Sequence, residues 1–207
     1  METTLIDSPV ANVANIARAL RAAGADLRIS RDPTVIANAR KLVLPGVGSF
    51  IAAMRWLVDN RIDAAIHAAV SQGASLLGIC VGHQLLFDVS HEMGTTRGLG
   101  LIRGEIVRYD GVLPVPQIGW NRVTSCRGRL QPALGGLKPA TTLVGDGVYY
   151  FVNSYAATST PHEIARADYG GSFTAAVQSG RVFGVQFHPE KSSAAGLEVL
   201  RNFIAWT

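Results

Sequence analysis

The sequence predicts an α/β protein: a mixed, mainly parallel sheet flanked by helices, with an antiparallel, β-rich second half. Up to Phe87, short apolar runs alternate with stretches of helical spacing in the order β–α–β–α–β–α, which calls for a parallel sheet covered on both faces. Beyond Gly100 the pattern changes to short strand-like runs separated by Gly and Pro turns. The 207 residues are 48% hydrophobic and only 16% charged, enough apolar chain for one core, so positions 1–207 read as a single domain.

Thr3–Ile6 reads as the first strand and Asp7–Ala11 as a loop. Val13, Ile16, Ala17 and Leu20 follow at helical spacing, and Gly24 stops that helix. Ala25–Ile29 is a second strand, and Asp32-Pro33-Thr34 starts a brief helix or turn. Arg40–Leu44 is a third strand, running into Pro45-Gly46-Val47-Gly48-Ser49. Helices are predicted from Phe50 through Val58 and from Ile62 to about Gln72. Leu76, Leu77 and Ile79 then form a buried strand, and a helix is predicted from Val81 to Phe87. In the second half the strand candidates are Arg103–Tyr109, Asn121–Thr124, Thr141–Val144, Tyr149–Val152, Glu163–Ala167, Phe173–Gln178 and Val182–Phe187. Ser179-Gly180 is a hairpin signal between the last two, and Ser193 to Trp206 is a closing helix.

The net charge of +4 comes from scattered arginines rather than a basic patch, so nucleic acid is not an expected partner. No apolar run reaches the roughly 18 residues of a membrane span, and no signal-peptide pattern opens the chain. Two cysteines, Cys80 and Cys126, imply no disulfide framework, and a cytoplasmic setting is expected.

The chemistry centres on Gly78-Ile79-Cys80-Val81-Gly82. A lone cysteine after an apolar run is commonly a small core residue. Here two glycines flank it at the corner between a strand and a helix, the cysteine form of a nucleophile elbow. Such a corner leaves no room for a Cβ on either neighbour, and the helix that follows would lend its positive end to a thiolate. The nucleophile needs a base, and five histidines are available. His67, His91 and His162 read as surface or loop residues, and His83 lies on the elbow helix, aimed away from where a base belongs. His188 closes a strand and precedes Pro189-Glu190, so Glu190 can orient its imidazole. Backbone N–H groups for an oxyanion are available at Val81 and in Pro45-Gly46-Val47-Gly48; the latter lacks the Lys and Ser/Thr of a phosphate-binding loop.

Gly78-x-Cys80-x-Gly82-x-Gln84 with His188-Pro189-Glu190 resembles the class I (triad) glutamine amidotransferases over nearly the whole chain. Within that class four segments look most like the glutaminase subunits of imidazole glycerol phosphate synthases: Pro45–Phe50, Gly119-Trp120-Asn121, Tyr149–Tyr155 and Gln186–Ser192. The resemblance implies a flavodoxin-like fold, no cofactor and no metal, and a Cys80–His188–Glu190 triad acting on L-glutamine. It implies that Gln84, Glu92, Ser154 and Tyr155 line the glutamine pocket and that Gly46, Val47 and Val81 form the oxyanion site. It further implies a heterodimer with a (β/α)8-barrel cyclase that takes up the ammonia, faced by Asn12, Asn15, Trp120, Tyr150 and Lys191. In this subfamily the Val47 segment is thought to turn into its competent form when the partner is engaged.

The chain departs from the subfamily pattern in places. Ser8-Pro9-Val10-Ala11 replaces a glycine-rich first loop, Gln117 and Asn153 stand where His is usual, and His83 where Met is usual. These departures leave open a paralogue that feeds another synthase, of sugar-modifying or anthranilate type. A non-catalytic subunit, disfavoured by the intact triad, and a cysteine peptidase, disfavoured because the His-Pro-Glu ending fits a glutaminase better, are further alternatives.

Overall fold

A computed structural model describes residues 1–109, 113–126 and 143–206. Its main sheet has nine strands in the order β2-β1-β3-β4-β13-β12-β11-β8-β9. The parallel half comprises β1 (Thr3–Ile6), β2 (Leu27–Ser30), β3 (Lys41–Gly46), β4 (Ser75–Cys80) and β13 (Val182–Val185). Strands β3, β4 and β13 are buried at every position, as a sheet covered on both faces requires. Covering helices are α1 (Val13–Ala22), α2 (Pro33–Ala37), α3 (Phe50–Asp59), α4 (Ile62–Ser71) and, after the triad, α6 (Ser193–Ala205). Each of α1–α3 begins on a side-chain cap, from Asn12, Asp32 and Ser49 respectively.

The antiparallel half adds β8 (Gln117–Ser125), β9 (Gly147–Asn153), β11 (Glu163–Asp168) and β12 (Ser172–Ser179). A second sheet of four strands has the order β10-β7-β5-β6, made of β5 (Phe87–Ser90), β6 (Thr96–Arg97), β7 (Ile102–Arg108) and β10 (Tyr155–Ala156).

The structure corrects the sequence reading at several places. The elbow helix, α5, covers only Val81–Gln84, and Phe87 starts a strand instead of ending a helix. The reason is competition for carbonyls: Leu85 O and Leu86 O accept N–H groups from Leu99, Leu101 and Ile102, so they are unavailable to a further helical turn. With Leu85, Leu86 and Phe87 all buried, the run carries no amphipathic period that distinguishes helix from strand. Of the expected strand Thr141–Val144, the first two residues lie outside the described residues, and Leu143 and Val144 form a buried bend. The two-residue turn between β12 and β13 is Gly180-Arg181, one position later than expected, because Ser179 pairs with Val182 and Gly180 takes a φ of 55°. The two-residue strands β6 and β10 carry too few residues to show a pattern.

One buried cation was not visible in the sequence pattern. Lys41, at the start of β3, is 1% exposed, and its Nζ donates to the carbonyls of Phe203 (3.0 Å), Ile204 (2.5 Å) and Trp206 (2.8 Å). It closes the C-terminal end of α6, where unpaired carbonyls and the helix dipole both favour a positive charge. Burial, reinforced by the charge of Arg181, holds its pKa below the ordinary lysine value.

Candidate active site

Cys80 is the last residue of β4 and Gly46 the last of β3, and the two are opposite each other in the parallel register. Val185, the end of β13, pairs with Ile79 on the other side, so the chain leaving β13 passes the cysteine within three residues. The triad therefore assembles at the carboxyl ends of neighbouring parallel strands, where α/β sheets hold their sites.

The corner at Cys80 is strained, with φ 55° and ψ −112° on a residue that carries a side chain. Its glycines are needed for close approach. A Cβ on Gly82 would lie 2.0 Å from the Leu44 carbonyl oxygen, and one on Gly78 would lie 2.5 Å from the Gly82 carbonyl oxygen. The thiol is 3% exposed and contacts the Val152 carbonyl at 3.8 Å. With α5 only four residues long, its dipole is a small term beside the groups that face the sulfur.

His188 and Cys80 line the same cleft, and His188 Nδ1 lies 2.8 Å from Glu190 Oε1. Both partners are buried, at 4% and 1% side-chain exposure. Burial opposes a charge on His188. Its hydrogen bonds to Cys80 and Glu190, and their negative charges, outweigh that and push its pKa up to about 10. The arrangement sets a cysteine beside an imidazole that a carboxylate orients, the grouping a cysteine nucleophile needs. Glu190 Oε2 is buried without a protein partner.

The triad opens onto a cleft of about 400 Å³ whose walls include Val47, Val81, Gln84, Glu92, Ser154 and Tyr155. Gln84 donates its amide N–H groups to Tyr155 O (2.9 Å) and Gln186 Oε1 (3.0 Å), which fixes the side chain and leaves its carbonyl oxygen for a ligand. Glu92 Oε2 accepts the Phe50 N–H at 2.7 Å, so the start of α3 holds that carboxylate at the cleft. The Val47 N–H is turned away: it donates to the Val10 carbonyl at 2.7 Å. The Val81 N–H follows the nucleophile directly. Among the described residues no cluster of three or more His, Cys, Asp or Glu side chains is placed to hold a metal ion.

The remaining histidines stand apart from the chemistry. His67 and His91 are exposed, and His91 pairs with Glu105 at 2.7 Å. His162 is half-buried, and burial lowers its pKa. His83 is fully buried, packed edge-on against Phe87 and so close to Gly184 that a Cβ there would lie 2.4 Å from Nδ1. Burial lowers its pKa to about 3, and neither ring nitrogen has a protein partner.

Trp120 is 54% exposed and meets the Tyr150 ring edge-on at 5.8 Å; Lys191 Nζ lies 5.7 Å from the same ring. These three form one patch beside the cleft, continued by exposed Ile118 and Val148 on the same strand pair. Asn12 caps α1 by accepting the Asn15 N–H at 3.2 Å, and α1 touches the turn that carries Glu190 and Lys191.

Several residues at the site were missed by sequence reasoning. Tyr109 donates to Gln117 Oε1 at 3.3 Å and accepts from Asn153 at 2.6 Å, so the two positions that depart from His form a hydrogen-bonded wall. Burial, the largest influence, raises the Tyr109 pKa and keeps its phenol neutral. The only sequence signal was the pair of amides standing where His is usual. Ser192 entered only as the last residue of a matching segment and the Val10 carbonyl not at all, since the contacts both make are created by folding.

A family model described as glutamine amidotransferase class-I matches residues 4–206. The imidazole glycerol phosphate synthase subunit HisH of Geobacillus kaustophilus (strain HTA426) is 41% identical over 208 residues, covering 97% of this chain and 94% of that protein. The subunit of the same name from Symbiobacterium thermophilum is also 41% identical, over 96% of this chain and 91% of its own length. Among solved structures, one described as a glutamine amidotransferase superposes with a TM-score of 0.74 at 16% identity, covering 97% of this chain and 96% of that chain. PurLQS from Thermotoga maritima gives a TM-score of 0.71 at 18% identity, covering 98% of each chain. The fold, the elbow and these likenesses agree, and the chain belongs to the class-I glutamine amidotransferase family.

Proposed function

We propose that this chain is the glutaminase subunit of an imidazole glycerol phosphate synthase, working as one domain in the cytoplasm as a heterodimer with a (β/α)8-barrel cyclase. The observation that carries the reading is the Cys80–His188–Glu190 arrangement at the mouth of a cleft that already presents Gln84 and Glu92. The names of relatives 41% identical over nearly the whole chain support the histidine-pathway assignment.

In this reading the Cys80 thiolate attacks the side-chain amide carbon of glutamine. The oxyanion is held by the Val81 N–H and by a second N–H from the Gly46–Val47 segment. The His188 imidazolium gives its proton to the leaving nitrogen, ammonia departs, and a glutamyl thioester remains. His188, now neutral, takes a proton from water, which attacks the thioester; glutamate leaves and the thiolate returns. Glu190 keeps the ring oriented through both steps. Gln84, Glu92, Ser154 and Tyr155 hold the amino-acid end of the substrate. With the Val47 N–H committed to Val10, the second oxyanion donor has to rotate inward before turnover, so docking of the cyclase is expected to raise the glutaminase rate. Asn12, Asn15, Trp120, Tyr150 and Lys191 are the residues that face the cyclase. Its products are imidazole glycerol phosphate and aminoimidazole carboxamide ribotide.

The test is Cys80→Ala in complex with the cyclase. Glutamine-dependent synthesis should disappear while free ammonia still supports it; glutamine-dependent turnover by the variant refutes the triad. The Tyr109–Gln117–Asn153 wall favours one second reading, a paralogue with another ammonia acceptor. Complementation of a histidine auxotroph separates the two.

A further inference from the structure

Past Gln186, whose N–H donates to the Ala175 carbonyl at 2.9 Å, the chain leaves the strand ladder, yet His188 must stand at a fixed reach from the thiol. Three contacts hold its backbone: the Lys191 N–H donates to its carbonyl at 3.0 Å, and the other two lead to one residue of β9. The His188 N–H donates to the Tyr150 carbonyl at 2.9 Å. The Ser192 hydroxyl donates to the His188 carbonyl at 2.7 Å, and its Oγ accepts the Tyr150 N–H at 2.9 Å. Ser192 is 1% exposed, so water does not compete for these bonds. A hydroxyl is a small group that gives and accepts at once, which bridging a C=O to an N–H demands. The first turn of α6 backs the bridge: a Cβ at Gly196 would lie 2.7 Å from Ser192 Cβ and 2.0 Å from the Pro189 carbonyl oxygen.

We propose that Ser192 is a positioning residue for the glutaminase reaction, its hydroxyl clamping the His188 backbone to β9 and so setting the imidazole against Cys80 and Glu190. This rests on the glutaminase reading above. The clamp also makes His188 follow β9, whose Tyr150 ring lies in the outer patch with Trp120 and Lys191.

The test compares Ser192→Ala and Ser192→Thr in the complex with the cyclase. For Ser192→Ala, kcat for glutamine hydrolysis is expected to fall on the order of ten- to a hundred-fold, as for a displaced catalytic group. KM should stay within about twofold, because Gln84 and Glu92 are held by other elements. The alkaline limb of the pH profile, set by His188, should move to lower pH as its bonds to Cys80 and Glu190 loosen. Ser192→Thr keeps the hydroxyl and should recover most of the rate. An unchanged kcat in Ser192→Ala overturns the proposal. So does a rate loss that comes with a lowered melting temperature, an unmoved pH limb and no recovery in Ser192→Thr, since that is the behaviour of a packing residue. Should Ser192→Ala fail to fold, Ser192→Cys, close in shape but a poor hydrogen-bonding group, is read by the same criteria. The Cys80→Ala control is independent: glutamine turnover there sinks the underlying glutaminase reading instead.

Discussion

The His188 imidazole stands between a thiol and a carboxylate in a site nearly closed to water, and its charge depends on both. Its pKa is raised from 6.5 to about 10 in the folded protein. The sign of the linkage follows. The stability it contributes is complete below pH 6.5, declines as pH rises and is gone above about 10. Urea titrations should show the gap between the natural protein and His188→Asn shrinking across that window; a gap that grows with pH contradicts the ion pair. The same group protonates the leaving ammonia, so ammonia release should fall as pH rises through about 10. Gly82 sets the other limit at this scale. A methyl 2.0 Å from the Leu44 carbonyl oxygen cannot be absorbed by backbone, so Gly82→Ala should cost about 3 kcal/mol or more and distort the elbow. A Gly82→Ala protein with natural stability and rate would refute the close approach.

Among the elements, β3 and α6 are joined by a charge rather than by apolar packing alone. Lys41 supplies donors to three carbonyls at the end of α6, of which Phe203 O also accepts the Trp206 N–H. Lys41→Met keeps the buried stem but strips those carbonyls of their donor, and should lower stability by about 2 kcal/mol in chemical denaturation. The glutaminase rate of the folded fraction should be unchanged, since the ammonium lies at the opposite end of β3 from Gly46. Helix α5 illustrates a different limit. It is short because the 98–102 segment takes the carbonyls that a longer helix needs, and that segment in turn leads into the second sheet.

For the whole molecule, the edge pair β8–β9 carries an exposed face of Ile118, Trp120, Val148 and Tyr150 next to the cleft. An aromatic centre with a flanking cation is the composition of an interface core. If the cyclase docks there as proposed, Trp120→Ala should weaken the complex by about 2 kcal/mol, roughly thirtyfold in Kd by titration calorimetry. Natural affinity in Trp120→Ala would move the interface elsewhere. Two sets of hydrogen bonds connect this side of the protein with the site. One is the Val10–Val47 hydrogen bond near the start of α1; the other is the backbone bridge from Tyr150 to His188.

The sequence by itself determined strands β1 to β4 with the helices between them and the glycine-flanked corner at Cys80, and it named Cys80, His188 and Glu190, which folding brings to one cleft rim. Gly78, Cys80 and Gly82 are contiguous, and His188-Pro189-Glu190 sits at the end of a strand, so local spacing carries the chemistry. It also marked Trp120, Tyr150 and Lys191, which folding gathers into one patch. The extent of α5, the strands β5, β6 and β10, the orientation of the Val47 peptide and the roles of Lys41, Tyr109 and Ser192 were decided by tertiary structure alone. Each depends on which distant backbone group claims a donor or an acceptor, as Val10 claims the Val47 N–H and Ser192 claims the His188 carbonyl. Such pairings depend on how the folded segments meet, and no periodicity along the chain records them.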